Sequence, residues 1–122
     1  MNPPITQSQF MLFLLQPTTG PAPSPEEMQQ IMQHFMVWMQ ELRAKDLVVD
    51  TNGLDTAGKI VRGPRSASRV VDGPYVEAKE VVGGYILIRA DSLDAAVEIA
   101  RGCPGLDYRL SVEVREVRRP PA

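Results

Sequence analysis

Cysteine and histidine each occur only once among the 122 residues, and this scarcity excludes several kinds of site. A single cysteine, Cys103, can form neither an internal disulfide nor a cysteine-based metal cluster. It lies in the turn sequence "RGCPG" with no activating base near it in sequence, so we do not expect a nucleophilic thiol. No grouping of His34 with cysteine or acidic residues has the spacing of metal ligands. We therefore expect neither a metal nor a cofactor.

Positive charge and long apolar runs are also scarce. The 13 lysines and arginines are outnumbered by 15 acidic residues, a net charge of −2 that argues against direct binding to nucleic acid. The run "FMLFLL" is too short to span a membrane, and the N-terminus lacks a basic segment and a cleavage site, so we expect a cytoplasmic protein. The length fits one domain over residues 1–122, with flexible termini at 1–8 and 119–122.

Two apolar segments and two helices dominate the sequence pattern. Residues 9–15 and the segment "GGYILIRA" are almost continuously apolar, which is typical of strands covered on both faces. The first helix begins at "SPEE" with a capping box and continues to about Lys45. The second helix is "DSLDAAVEIARG", capped by Asp91 or Ser92 and stopped by Gly102 in a left-handed conformation.

The order of elements predicts an α+β fold. "LVVDTNGL" gives a second strand, "AGKIV" and "SRVV" form a hairpin excursion, and "SVEVREV" gives the last strand. With both helices on one face of a mainly antiparallel sheet, this is a ferredoxin-like βαββαβ protomer with a small β-hairpin excursion. Two helices cover only one face of a sheet whose strands are apolar on both sides. We therefore predict a homodimer whose two sheets pack face to face.

The first helix has more apolar surface than one buried face requires. Its predicted buried stripe consists of Met28, Ile31, Met32, Phe35, Met39 and Leu42. Met36, Val37 and Trp38 extend beyond that stripe, which suggests a second contact with either a pocket or a partner chain. Trp38 and the methionines are then core or interface residues, or they shape an adaptable apolar pocket.

The segment "DGPYVEAKEVVGGYILIRADSLDAAVEIARGCPG" resembles the YCII-related proteins, in the branch named for its Asp-Gly-Pro-Phe motif, with Tyr75 in the Phe position. "TNGLDTAGKIVRG" and "SVEVREV" are similar to that branch too, so the resemblance covers most of the chain from Glu26 onward. It implies a dimeric α/β barrel and a cleft between helix and sheet that is suspected of being an active site. It also implies an association of some relatives with extracytoplasmic-function sigma factors.

The chain departs from one feature of that family. Better-known YCII proteins suggest a His–Asp pair, with the His on the first helix and the Asp just after the first strand. Here Gln16 and Pro17 stand where the Asp would fall, and His34 lies one residue from the expected position, which Phe35 occupies. The pair is therefore not intact. His34 is either a border residue of the helix or a catalyst, and we retain it because imidazole titrates near neutral pH.

The charged turn "DGPYVEAKE" supplies the other candidate catalytic residues. Asp72 either caps the turn through backbone amides or stands as a carboxylate at the mouth of a cleft. Lys79 is an electrophilic or anion-binding group with Glu77 or Asp72 as the proton acceptor. The alternative is that Glu77, Lys79 and Glu80 form a solvated charged turn with surface ion pairs. The candidate ligand-binding residues are Tyr75, Glu80, Gly83 and Trp38. The alternative for Gly83 is a bulge or a close backbone approach at the start of a strand.

These observations leave two functional hypotheses. The first is a cofactor-free enzyme that performs acid–base chemistry on a small organic molecule. The second is a non-catalytic dimeric module that binds a small ligand or docks onto a component of transcription initiation, with a sigma factor as the candidate partner. The incomplete His–Asp pair favours the second hypothesis, and the charged turn beside a partly apolar cleft favours the first.

Overall fold

The computed structural model describes residues 7–74 and 77–118. Along these residues the helices and strands are β1 (Ser8–Pro17), α1 (Pro25–Ala44), β2 (Val48–Gly53), β3 (Gly58–Arg62), β4 (Arg69–Gly73), β5 (Glu80–Ala90), α2 (Leu93–Ala100) and β6 (Ser111–Glu116). Two 3-10 helices, η1 (Arg65–Ala67) and η2 (Pro104–Tyr108), complete the order. Neither α-helix of this described part is long and apolar enough to cross a membrane.

Four of the strands form one sheet in the order β2-β5-β1-β6, and each neighbouring pair is antiparallel. The first and third strands of the βαββαβ pattern are thus central, and the second and fourth lie at the edges. This order agrees with the predicted ferredoxin-like α+β protomer. β3 and β4 form a separate two-stranded ladder, so the predicted hairpin is present. The face-to-face dimer stays a prediction.

The core lies between the sheet and its two helices. Phe10 and Leu12 of β1 and Ile86 and Ile88 of β5 are all at most 1% exposed. Their partners from the helices are Trp38, Leu42, Ala96 and Ala100. Because side chains alternate between the faces of a strand, Met11, Phe13, Leu15, Tyr85 and Leu87 lie on the other face, where they are half-buried. Both faces of the two central strands are therefore apolar, as the sequence predicted.

The buried face of α1 differs from the predicted stripe. Met28 and Met32 are 45% and 60% exposed, whereas Trp38, expected beyond the stripe, is only 7% exposed. The reason is tertiary, because the indole lies beside Gly102 at the end of α2. Within α1 the indole also packs edge-on against Phe35, with ring centroids 6.0 Å apart. The buried residues of α1 are therefore Ile31, Trp38 and Leu42.

The ends of the helices follow local sequence signals, with one correction. The capping box at Ser24 is present, and α1 ends at Ala44 with Lys45 as its C-cap. Ser92, the second of the two predicted candidates, caps α2 by accepting a hydrogen bond from the amide of Ala95. The prediction of a left-handed Gly102 is wrong, since its φ is not positive. Glycine suits this position for another reason: a Cβ there would lie 3.0 Å from Nε1 of Trp38.

Candidate functional site

A cavity of about 600 Å³ lies where β1 ends and α1 begins. Its walls are residues 16–23, the first turns of α1 through Glu27, Met28 and Ile31, and residues 107–110 at the end of η2. The loop "QPTTGPAP" forms one wall because its prolines and glycine prevent β1 from continuing and lead the chain over to the cap of α1. The volume lies in the range of small-molecule pockets.

Arg109 fixes the wall formed by that loop. Its guanidinium donates one hydrogen bond to the carbonyl of Thr19 at 3.0 Å and another to the carbonyl of Pro21 at 3.3 Å. Gly20, between these two acceptors, has a φ of 102°, and a Cβ there would lie only 2.3 Å from Nη2 of Arg109. Arg109 itself has a left-handed φ of 71°, which is uncommon for a side chain other than glycine. The loop and the guanidinium therefore hold one another in place.

A tyrosine–histidine pair joins η2 to α1 beside the cavity. The hydroxyl of Tyr108, a half-buried residue lining the cavity, lies 3.2 Å from Nδ1 of His34. The two ring centroids are 6.1 Å apart. His34 is exposed, so its other ring nitrogen is accessible to solvent protons. The pair joins the cavity wall to bulk water through one hydrogen bond.

Thr18 connects the cavity rim to the charged turn. Its amide donates to the carbonyl of Lys79 at 3.0 Å, and its hydroxyl donates to the carbonyl of Ala78 at 2.7 Å. Nearby, Leu14 pairs with Gly84 and Leu15 pairs with Val82, so β5 bulges at Gly83. The space beside Gly83 is filled by the amide of Gln16, another residue of the cavity wall. The bulge is one of the two structural interpretations predicted for Gly83, while the close approach here is made by a side chain and not by the predicted backbone.

The other predicted site residues lie outside the lining of this cavity. Asp72 is on β4, where its carboxylate pairs with the ammonium of Lys59 on β3, directly across the hairpin. The side chains of Asp72 and Lys59 are 85% and 68% exposed. Glu77, Lys79 and Glu80 are exposed as well, and only the carbonyl of Lys79 is bonded to the rim.

The remaining predicted site residues are Trp38, His34 and Tyr75. Trp38, a candidate ligand-binding residue, belongs to the hydrophobic core. His34 lies beside the cavity through its contact with Tyr108. Tyr75 lies outside the described residues.

The sequence reasoning missed Tyr108 and Arg109. Both follow the turn "CPGLD", and no local motif marks such residues as part of a site. Their position depends on η2 packing against α1, which is a long-range contact. The signal that could have found them is the pair of turn-rich segments after β1 and before β6, which the antiparallel pairing of these strands brings to one end of the sheet.

The single thiol and the acids offer little additional chemistry. In the described residues, no three His, Cys, Asp or Glu side chains are grouped so that they could hold a metal ion. Cys103 is 3% exposed, and this burial raises the pKa of its thiol. Hydrogen bonds with the backbone of Gly105 and Leu106 lower that pKa and partly offset the effect. The thiol is therefore protonated at neutral pH.

Comparison with known families gives one result. The family model described as the YCII-related domain matches residues 11–119, a range that contains both walls of the cavity. This match confirms the family resemblance found in the sequence. No curated protein matches the chain.

Proposed function

We propose that this chain, which belongs to the YCII-related domain family, binds a small organic molecule in the cavity beside α1 and moves a proton on it. One observation carries the proposal: Tyr108 lines the cavity, and its hydroxyl is hydrogen-bonded to His34. The chain thereby offers a proton-transfer group at the wall and an imidazole acceptor behind it.

The proton balance of such a step is simple. When the bound molecule loses a proton to the phenolic oxygen of Tyr108, the phenolic proton passes to Nδ1 of a neutral His34. Tyr108 is again a phenol, the bound molecule is an anion and His34 is an imidazolium. The exposed imidazolium releases its proton to water, and the reverse sequence delivers a proton to the bound molecule. Acid–base assistance of this type contributes on the order of 10²–10⁴ in rate.

The charged turn has a supporting position in this proposal. Lys79 stays a candidate for contact with a bound molecule, because its carbonyl is bonded to Thr18 at the rim. We assign Asp72 a structural role in the hairpin, because its carboxylate already pairs with Lys59 on the facing strand of the β3–β4 ladder. The family branch with the Asp-Gly-Pro-Phe motif is the one we assign, on the basis of the sequence "DGPY".

The test is a screen followed by a proton-exchange measurement. A thermal-shift screen of small metabolites against the wild-type protein identifies molecules that stabilise it. Each hit is then incubated in D₂O, and loss of its acidic C–H signal is followed by NMR. Tyr108→Phe and His34→Gln are expected to slow this exchange at least about 100-fold. Tyr85→Phe is the matched control, because it removes the same hydroxyl from a tyrosine on the open sheet face.

Three results are informative. Exchange that depends on Tyr108 and not on Tyr85 supports the enzyme. Ligands that bind without any exchange favour the alternative, a non-catalytic binding module of the kind associated with transcription initiation. Failure of every compound to stabilise the protein contradicts the proposal.

We propose in addition that two copies associate through their open sheet faces. Met11, Phe13 and Leu87 form the apolar centre of that face in a single chain. The closed two-fold arrangement of identical faces is the usual way to bury such a surface. Phe13→Glu is expected to convert dimers to monomers in sedimentation at micromolar concentration. Leu93→Glu, on an exposed residue of α2, is the control, and a wild-type monomer would contradict this proposal.

A further inference from the structure

We infer that the molecule bound in the cavity carries a carboxylate and that Arg109 binds it. This inference rests on the proposed function, because it names the class of ligand for the same cavity. Its starting point is a cation in the cavity wall whose charge has no counter-ion among the described residues. Ion pairs among those residues involve other cations, and Lys59, Arg89 and Arg101 are among them.

The hydrogen bonds of Arg109 leave part of its guanidinium available. Nη1 donates to the carbonyl of Pro21 and Nη2 donates to the carbonyl of Thr19. A guanidinium has five N–H donors, so Nε–H and one N–H on each terminal nitrogen remain. Such a set suffices for the two-point pairing that arginine makes with a carboxylate. The two carbonyls are neutral dipoles, and they orient the group without cancelling its charge.

The guanidinium is held in place before any ligand arrives. The carbonyls of Thr19 and Pro21 fix it on one side, and the loop between them can approach closely because Gly20 has no Cβ. A fixed group loses little conformational entropy when it binds, which raises affinity for a ligand of matching shape.

The other charges of the wall define where the carboxylate belongs. The carboxylate of Glu27 accepts a hydrogen bond from the amide of Ser24 within the capping box, so its position and charge serve the start of α1. Asp107 is the remaining acid of the wall, and it is exposed. Both acids repel an anion, so the carboxylate must lie at Arg109.

The rest of the wall is mostly apolar and fits the body of the ligand. The apolar lining residues are Pro17, Pro21, Ala22, Pro23, Met28, Ile31 and Leu110. A ligand with an apolar body and one terminal carboxylate would use both parts of the wall. It would also lie within the cavity that Tyr108 lines, where the proton transfer is proposed.

The experiment compares pairs of probes that differ in charge and hardly in shape: benzoate with benzamide, phenylacetate with phenylacetamide, and hexanoate with hexanamide. Dissociation constants are measured by calorimetry on the full chain. Each carboxylate that binds is expected to bind at least about tenfold more tightly than its amide, the effect of a hydrogen bond to a charged group. Arg109→Gln is expected to remove this difference. Arg101→Gln changes the exposed arginine that is the C-cap of α2 and pairs with Glu98, and this control variant is expected to keep the difference.

A second measurement covers the case in which Arg109→Gln disturbs the loop. On the wild-type protein, carboxylate affinity is expected to fall between about 50 and 500 mM salt while amide affinity stays constant, because the ions screen the exposed guanidinium. Equal affinities within the pairs, or a preference for the amides, would overturn the inference and leave the proposed function standing. Binding of neither member of any pair, together with no hit in the metabolite screen, would overturn both.

Discussion

Replacing Gly20 by alanine tests the geometry on which the cavity wall depends. The φ of 102° at this residue is strained for any side chain, at a cost of order 1–3 kcal/mol. The new Cβ would lie 2.3 Å from Nη2 of Arg109, and the guanidinium must therefore move. The guanidinium is the flexible end of a side chain, so it can move away from the new Cβ at little cost. Its hydrogen bonds to the carbonyls of Thr19 and Pro21 are then lost. Each contributes about 0.5–1.5 kcal/mol.

These values sum to an expected loss of about 2–6 kcal/mol in the free energy of unfolding, measured by urea denaturation. Gly58→Ala is the control, since its added Cβ would have no atom within 4 Å and its φ is not positive. In a protein that already carries Arg109→Ala, Gly20→Ala should lower the free energy of unfolding only by the backbone strain. The difference between the two backgrounds is the coupling of Gly20 with the guanidinium. A loss for Gly20→Ala no larger than for Gly58→Ala would refute this reasoning.

Three further predictions concern other parts of the molecule. Leu12→Ala, in the centre of the core, should reduce the free energy of unfolding by about 2–5 kcal/mol, while Leu54→Ala, at a residue 48% exposed, should change it by less than about 0.5 kcal/mol; equal losses would contradict the described core. Asp72→Asn should lower the free energy of unfolding by less than about 1 kcal/mol, because both Asp72 and its partner Lys59 are exposed. It should also leave the affinity for any cavity ligand unchanged, and a loss of affinity would place Asp72 in the site. The raised thiol pKa of Cys103 contributes stability that is fully present below the ordinary thiol pKa and is lost as pH rises above it. Because the thiol is buried, the native protein should react with a thiol reagent no faster than it unfolds. Rapid reaction at neutral pH would be the contrary result.

The fold followed from local signals in the sequence. The capping box at Ser24 and the continuous apolar segments in β1 and β5 each specify an element through residues close together in the chain. Their order then leaves few topologies that bury the apolar face, and the observed strand order is among them. The same argument does not fix helix rotation. Trp38 is buried because the end of α2 reaches it at Gly102, a contact that the periodicity of α1 does not contain.

The candidate site was less accessible to sequence reasoning. "DGP" is a typical turn sequence, and the charged residues after it suggested a site at that turn. The side chain of Asp72 instead faces Lys59, because the register of the β3–β4 ladder sets these two residues opposite each other. The cavity is formed by two loops 90 residues apart, joined by Arg109 and Thr19. Only the folded chain brings these residues together.

The most direct test of the cavity as the ligand site is the mapping of amide chemical-shift changes while the carboxylate probes are titrated into labelled protein. We expect the largest chemical-shift changes at residues 18–20 and 107–110, with smaller changes at the start of α1. Changes confined to the β3–β4 hairpin, or to the sheet face that carries Phe13 and Leu87, would contradict this expectation.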